Sequence, residues 1–204
     1  MRNTCCKNEM KYRINEIFYS LQGEGRNTGR ATVFVRFSGC NLRCPFCDTD
    51  FKEYTEMTAD EILETIRPWK RCGFVVLTGG EPSLQTDDDL VEALHQEGFY
   101  IAMETNGTHS VPEGIDWVTV SPKAGSEVVI DRADELKVVF DGKENPDSPL
   151  TTHHLPLTTQ KYLQPCDTGN EEQNRQIIQQ CVEYIKEHPE WRLSLQTHKL
   201  IDIR

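Results

Sequence analysis

No apolar run in this sequence is long enough to span a bilayer; the richest stretches, "VFVRF" and "FVVL", fall far short. The first residues, "MRNTCCKNEMKYR", are polar and hold no apolar signal core. Basic charge is scarce as well. Twenty-two Lys and Arg stand against 33 Asp and Glu, a net charge of −11, the opposite of the surface that phosphate backbones require. These absences predict a cytoplasmic protein that acts on a small molecule, with neither a membrane nor a nucleic acid as partner. A second cysteine pair and a spaced histidine pair are also missing. His153 and His154 are adjacent and lie in a predicted loop, whereas structural zinc sites usually bring two ligand pairs, as in C-x₂-C…C-x₂-C.

Cysteine itself is plentiful, at eight in 204 residues. Without a secretion signal, a disulfide framework is not expected. Cys5 and Cys6 sit in the polar N-terminal stretch; Cys72 precedes a strand and Cys181 falls on a helical apolar face, where both read as small buried hydrophobes. Only Cys40, Cys44 and Cys47, in "GCNLRCPFCDT" (39–49), have metal-site spacing, C-x₃-C-x₂-C.

Aliphatic and aromatic residues at 37% and charged residues at 27% are ordinary for a soluble chain, and the length suits one domain. That domain is expected over 12–204, with 1–11 as an N-terminal extension. Strand-like runs each end in an unusual turn. "ATVFVRFSG" (31–39) enters the cysteine loop, "FVVLT" (74–78) runs into "GGEP", and "FYIAMET" (99–105) into "NG". "DWVTV" (116–120) leads to "SPK", "LKVVF" (136–140) to "DGK", and "KYLQP" (161–165) to "CD". Such runs resemble strands buried on both faces. "RINEIFYSLQGEG" (13–25) adds one strand-and-loop candidate and "RLSLQTH" (192–198) a last one.

Helices are predicted over 58–67, opened by the capping box Thr58/Glu61; over 87–98, closed by Gly98; and over 170–188. In the last, Ile177, Ile178, Cys181, Val182 and Ile185 share one face. Later strands are joined by bare loops. The pattern predicts an α/β fold, a trimmed, incomplete barrel of the TIM type with about six parallel strands and few helices, its chemistry at the C-terminal strand ends.

Three cysteines leave several possibilities. Cys166 could complete an electron-transfer cluster, a zinc ion could recruit another ligand, or a four-iron cluster could keep one iron open. An open position is the mark of a catalytic metal site. A low-potential cluster of that kind can chelate the amine and carboxylate of S-adenosylmethionine, whose reductive cleavage yields a 5′-deoxyadenosyl radical.

The cysteine loop followed by "GGEP" (79–82) resembles the radical S-adenosylmethionine superfamily, in which this turn receives the methionyl amine. Its glycines permit close backbone approach, and Glu81 offers a charge to an ammonium. "SLQGEG" (20–25), "RFSGCNLRCPFCDT" (36–49), "LTGGEPSLQ" (77–85), "ETNGT" (104–108), "VSPK" (120–123), "YLQPCD" (162–167) and "LSLQTHK" (193–199) together resemble the 7-carboxy-7-deazaguanine synthase family over 12–204. That resemblance implies conversion of 6-carboxy-5,6,7,8-tetrahydropterin to 7-carboxy-7-deazaguanine with loss of ammonia, in 7-deazapurine and queuosine biosynthesis. It also implies a homodimer, magnesium, and an electron donor such as flavodoxin.

Carried over by residue, the resemblance implies that Cys40, Cys44 and Cys47 hold the [4Fe-4S] cluster. Phe46, Asp48, Gly80, Ser121, Pro122, Lys123, Gln164, Pro165, Cys166 and Asp167 form the S-adenosylmethionine site. Leu21, Gln22, Gly23, Arg36 and Thr78 contact the substrate, and Thr49 binds magnesium. Physical reasoning adds that a charge at Arg36, inside a strand, needs a partner, which the substrate carboxylate would supply. The N–H edge of a pterin calls for a carboxylate such as Glu24 or Glu104. A radical activase shares the cysteine loop but leaves the "SPK", "QPCD" and "QTHK" segments unexplained; a non-catalytic iron–sulfur or zinc protein is the alternative outside enzymes.

Overall fold

The computed structural model describes residues 10–44, 47, 53–143, 146 and 156–204. Phe46, Asp48, Thr49, His153 and His154 lie outside the described residues. Among the described residues nine strands form one sheet: β1 (Tyr12–Leu21), β2 (Ala31–Phe37), β3 (Thr55–Met57), β4 (Phe74–Gly79), β5 (Tyr100–Thr105), β6 (Trp117–Val120), β7 (Glu135–Phe140), β8 (Gln160–Pro165) and β9 (Trp191–Leu193). Their spatial order is β3-β1-β2-β4-β5-β6-β7-β8-β9. From β2 to β9 every neighbouring pair is parallel, whereas β1 runs antiparallel to both β2 and β3. The end strands, β3 and β9, are not paired with each other among the described residues, so the barrel is incomplete, as expected.

Among the described residues four α-helices accompany the sheet: α1 (Ala59–Ile66), α2 (Asp88–Gln96), α3 (Glu171–Glu187) and α4 (Thr197–Leu200). In α1 the Thr58 hydroxyl accepts from Glu61 N while the Glu61 carboxylate accepts from Thr58 N, the reciprocal capping box read from sequence. Asp87 and Asn170 cap α2 and α3 by the first half of that device alone, one side-chain oxygen accepting from Leu90 N and Gln173 N respectively. No described helix is long and apolar enough to cross a membrane.

Alternation along the parallel strands divides two buried layers. Val33, Val35, Val75, Leu77, Ile101 and Met103 face outward, under Ile62 and Ile66 of α1 and Leu90, Val91 and Leu94 of α2. Each such fully buried aliphatic side chain contributes about 1.5–3 kcal/mol. The intervening Phe34, Phe74, Val76, Ala102 and Trp117, with Phe18, cluster on the other face. Beyond them, α3 packs on β7, β8 and β9 through Ile177 and Cys181 against Leu136, Val138, Leu163 and Trp191. Ile178 and Val182, expected on that same face, are instead exposed. The helix meets the sheet along a narrow i, i+4 stripe, and the neighbouring apolar positions fall outside it.

Candidate active site

Every parallel strand from β2 to β8 delivers its following loop to one end of the sheet, where a cavity of about 400 Å³ opens. Cys40, Cys44 and Cys47 line it together with Arg36, Thr78, Gly80, Ser121, Lys123, Gln164, Pro165, Cys166 and Asp167, all expected from sequence. Pro122, Leu21, Gln22 and Gly23 do not line it. Leu21 is exposed, while Gln22 is buried behind the wall, donating through Nε2 to Glu104 at 3.2 Å and accepting from Glu24 N at 3.2 Å. Gly23 lies against the ring of His198: a Cβ there would come within 2.0 Å of Nδ1.

The cysteine loop is held from two sides. The peptide after β4 is zipped to it, Gly80 N donating to Phe37 O at 3.0 Å and Glu81 N to Gly39 O at 2.9 Å. Glycine is required here for that reason. A Cβ on Gly80 would stand 2.0 Å from Gly39 O, and Gly79 has φ 124° with Phe37 O only 2.2 Å from its missing Cβ. On the other side Asn106 Nδ2 donates to Asn41 Oδ1 at 3.1 Å, and Asn41 Nδ2 to Thr108 Oγ1 at 2.8 Å. The two turns are themselves joined by Glu81. Its carboxylate is fully buried and accepts from Ser83 N (3.1 Å), Ser83 Oγ (2.6 Å), Thr105 Oγ1 (2.6 Å) and Asn106 N (2.7 Å). The expectation that Glu81 offers its charge to a ligand's ammonium is therefore corrected. The polypeptide uses both oxygens, because a buried carboxylate without a cation needs several donors.

These residues suit an iron–sulfur cluster. Among the described residues no three Cys, His, Asp or Glu converge as they would on a single ion. All three thiols of the loop line one cavity, and cysteine thiolates are the ligands that such a cluster takes. Leu42 N donates to Cys40 Sγ at 3.4 Å, the kind of backbone donor that supports a ligating thiolate. In the cluster-free chain, burial and then the charges of Glu81, Cys44 and Cys47 push the Cys40 thiol above its ordinary value, with Leu42 N–H opposing them. Cys166 is buried at the far strand end, its Sγ 3.8 Å from Asp167 O.

Arg36 is half-buried on an interior strand, not on an edge. Its Nε already donates to Glu16 Oε1 at 2.8 Å, so the chain supplies part of the partner that the sequence demanded of a substrate. Glu16 in turn meets Arg204. Lys123 donates to Ser121 Oγ at 2.7 Å; burial, then the charge of Lys137, lowers its pKa. Asp167, bonded by Gly169 N, Lys199 and Asn174 Nδ2, is held at about 2.

The largest feature missed in the sequence is at the base of the cavity. Lys137, almost wholly buried in β7, donates to Glu24 Oε2 at 2.6 Å and to Glu104 Oε2 at 2.7 Å. The other oxygens accept from amides: Glu24 Oε1 from Gln196 Nε2 at 2.9 Å, Glu104 Oε1 from Gln22 Nε2 at 3.2 Å. Burial pushes Glu24 upward, but Lys137, with Gln196 and His198 behind it, holds it at about 2. Burial pulls Lys137 down and is overcome by Glu104, Glu24 and Glu135, which keep it protonated. Glu135, two residues before Lys137, accepts from Arg26 N at 3.1 Å. Burial and then Glu104 raise it to about 7, against weaker opposition from Lys137, Arg26 N and the Trp117 indole, whose Nε1 makes no hydrogen bond of normal geometry. A charged lysine two residues from a glutamate inside an otherwise apolar strand, "ELKVVF", was the available signal.

An open parallel sheet with a three-cysteine loop after one strand and a glycine turn after the next defines a class, and the Radical SAM superfamily profile matches residues 34–142. The chain is 50% identical over 195 residues to the 7-carboxy-7-deazaguanine synthase of Bacteroides thetaiotaomicron, covering 96% of this chain and all of that protein. It is 45% identical over 217 residues to the synthase of Bradyrhizobium diazoefficiens, covering 96% and 100%. Among solved structures, that of QueE from Escherichia coli superposes with a TM-score of 0.69 at 28% identity, covering 91% of this chain and 93% of that one. The chain belongs to the 7-carboxy-7-deazaguanine synthase family of radical S-adenosylmethionine enzymes. Full-length agreement with these synthases decides against the activase alternative.

Proposed function

We propose that this protein is a 7-carboxy-7-deazaguanine synthase that converts 6-carboxy-5,6,7,8-tetrahydropterin to 7-carboxy-7-deazaguanine with release of ammonia. The observation that carries the reading is one cavity with two chemically distinct ends: three cysteines on one wall, and a lysine with two carboxylates at the base. A four-iron cluster with S-adenosylmethionine on its open iron supplies hydrogen-atom abstraction when bound. Cys40, Cys44 and Cys47 would hold that cluster, and Gly80, Ser121, Lys123, Gln164, Pro165, Cys166 and Asp167 line the space beside them. Arg36 and Thr78, paired across β2 and β4, bring a guanidinium and a hydroxyl to the cavity, where a substrate carboxylate can be fixed. Glu24 and Glu104 present acceptor oxygens to the N–H edge of a pterin. Gln22 and Gly23 act from behind, Gln22 by bonding the Glu104 carboxylate of β5 and the Glu24 N–H, and Gly23 by anchoring Thr197 of α4 through its carbonyl.

Residues 12–204 would work as one catalytic unit, reduced by an electron donor such as flavodoxin and paired as a homodimer. Magnesium at Thr49 belongs to the same reading. The test is anaerobic incubation of reconstituted enzyme with the carboxytetrahydropterin, S-adenosylmethionine and a reductant, followed by mass spectrometry. Formation of the deazaguanine acid is expected; S-adenosylmethionine cleavage without it would overturn the substrate assignment.

A further inference from the structure

Lys137 bonds two carboxylates at once, at 2.6 and 2.7 Å: Glu24 from the loop after β1 and Glu104 from β5, 80 residues apart in sequence. Its side chain is 6% exposed, theirs 17% and 20%; all three line the cavity, and the two short bonds of the ammonium go to the carboxylates. Each carboxylate has one oxygen on Lys137 and the other on a glutamine amide, which fixes both position and plane. Two carboxylates this close and this buried would not both stay ionised without a cation between them.

Resting on the reading of this end as the pterin site, we propose that Lys137 is a positioning residue for substrate recognition. It holds Glu24 and Glu104 apart, ionised and aimed, so that the pair accepts adjacent N–H donors of a heterocycle. The other charged groups facing this cluster are Glu135 from the same strand, Lys123 from the loop after β6, and His198 from α4. None of them replaces the ammonium: Glu135 adds negative charge, Lys123 is bonded to Ser121, and His198 lies against Gly23. Removing the ammonium leaves burial unopposed, so the carboxyls take up protons nearer neutrality and lose acceptor capacity at the acidic end.

The experiment is anaerobic fluorescence titration of holoenzyme with 6-carboxypterin, an oxidised analogue used only as a binding probe, from about pH 5.5 to about pH 7.5. Wild type should bind with affinity varying less than about twofold across that range, apart from the slope that Glu135, raised to about 7, adds near the neutral end. Lys137→Met should bind at least about tenfold more weakly at the acidic end than at the neutral end, and in turnover should raise KM more than it lowers kcat. If Lys137→Met fails to fold, the pair Glu104→Gln and Lys137→Met/Glu104→Gln makes the same comparison at a milder charge imbalance. The single variant should stay flat because Lys137 still holds Glu24, and the double variant should acquire the slope. Superimposable pH profiles with and without Lys137 would overturn the positioning role. Failure of wild type to bind the probe at any pH would overturn the pterin reading and this inference with it, so the two failures are told apart.

Discussion

Glu81→Gln changes one atom in the turn that joins the cysteine loop to the "ETNGT" turn. In wild type Oε1 takes Ser83 N, Ser83 Oγ and Thr105 Oγ1, and Oε2 takes Asn106 N. A glutamine can keep its oxygen on the crowded side only by turning its amide toward Asn106 N–H, donor against donor at what was a 2.7 Å bond. The site is fully buried, so no water relieves the clash. An orphaned buried donor costs about 1–3 kcal/mol, and three bonds lose their charge assistance, for a total of about 3–5 kcal/mol. For a chain of this size that corresponds to a fall in Tm of about 10 °C. Thermal unfolding followed by circular dichroism, on cluster-free and reconstituted protein alike, reads it directly. An unchanged Tm combined with weakened S-adenosylmethionine binding would refute the structural role and restore the ammonium contact suggested by the sequence.

Iron content separates the cysteines: Cys40→Ala, Cys44→Ala and Cys47→Ala should each lose the cluster, whereas Cys166→Ala should keep about four irons per chain. For Glu135 the folded pKa of about 7 stands above the unfolded 4.5. Its contribution to stability is therefore fully present below about pH 4.5 and lost as pH rises through about 7, about 3 kcal/mol in all. Urea titrations of wild type and Glu135→Gln across that range should show the slope in the first and a shallower one in the second. Thr58→Ala removes the capping box of a helix remote from the cavity, so it should lower stability by about 1 kcal/mol while turnover stays unchanged.

The parallel strands were legible because residues buried on both faces leave uninterrupted apolar runs, and each run ended in the turn that carries chemistry. α1 was legible from its capping box, α2 from its apolar spacing and glycine stop, and α3 from its apolar face. β3 was not, since three residues with two exposed side chains leave no periodicity to read. "RLSLQTH" looked like one strand, but only Trp191–Leu193 pairs with β8 before Thr197 opens a single helical turn. The cavity's cysteine wall follows from local spacing, so one segment was enough to find it. Its base does not. Lys137 meets partners 113 and 33 residues away, and nothing in "ELKVVF" says which carboxylates fold onto it. Glu81 was misread for the complementary reason: a charge in a glycine turn suggests a ligand, while the hydroxyl and amide that consume it come from the next strand's loop.

Gly23 O accepts from Thr197 N at 3.0 Å, Gly25 N donates to Ser194 Oγ at 2.9 Å, and Gln196 binds Glu24. These bonds join the loop after β1 to the segment after β9, across as many as 174 residues of sequence. Contacts of such separation form late, because the entropy of closing the intervening chain must be met first. On the ribosome, the helices and strands through β5 can assemble while synthesis continues, yet the loop bearing Glu24 must wait for residue 197 to emerge. The cysteine loop, by contrast, needs only the segment through Thr108 to be held in place. The cysteine loop can thus take shape on the nascent chain before the loop bearing Glu24, which waits for residues 194–197.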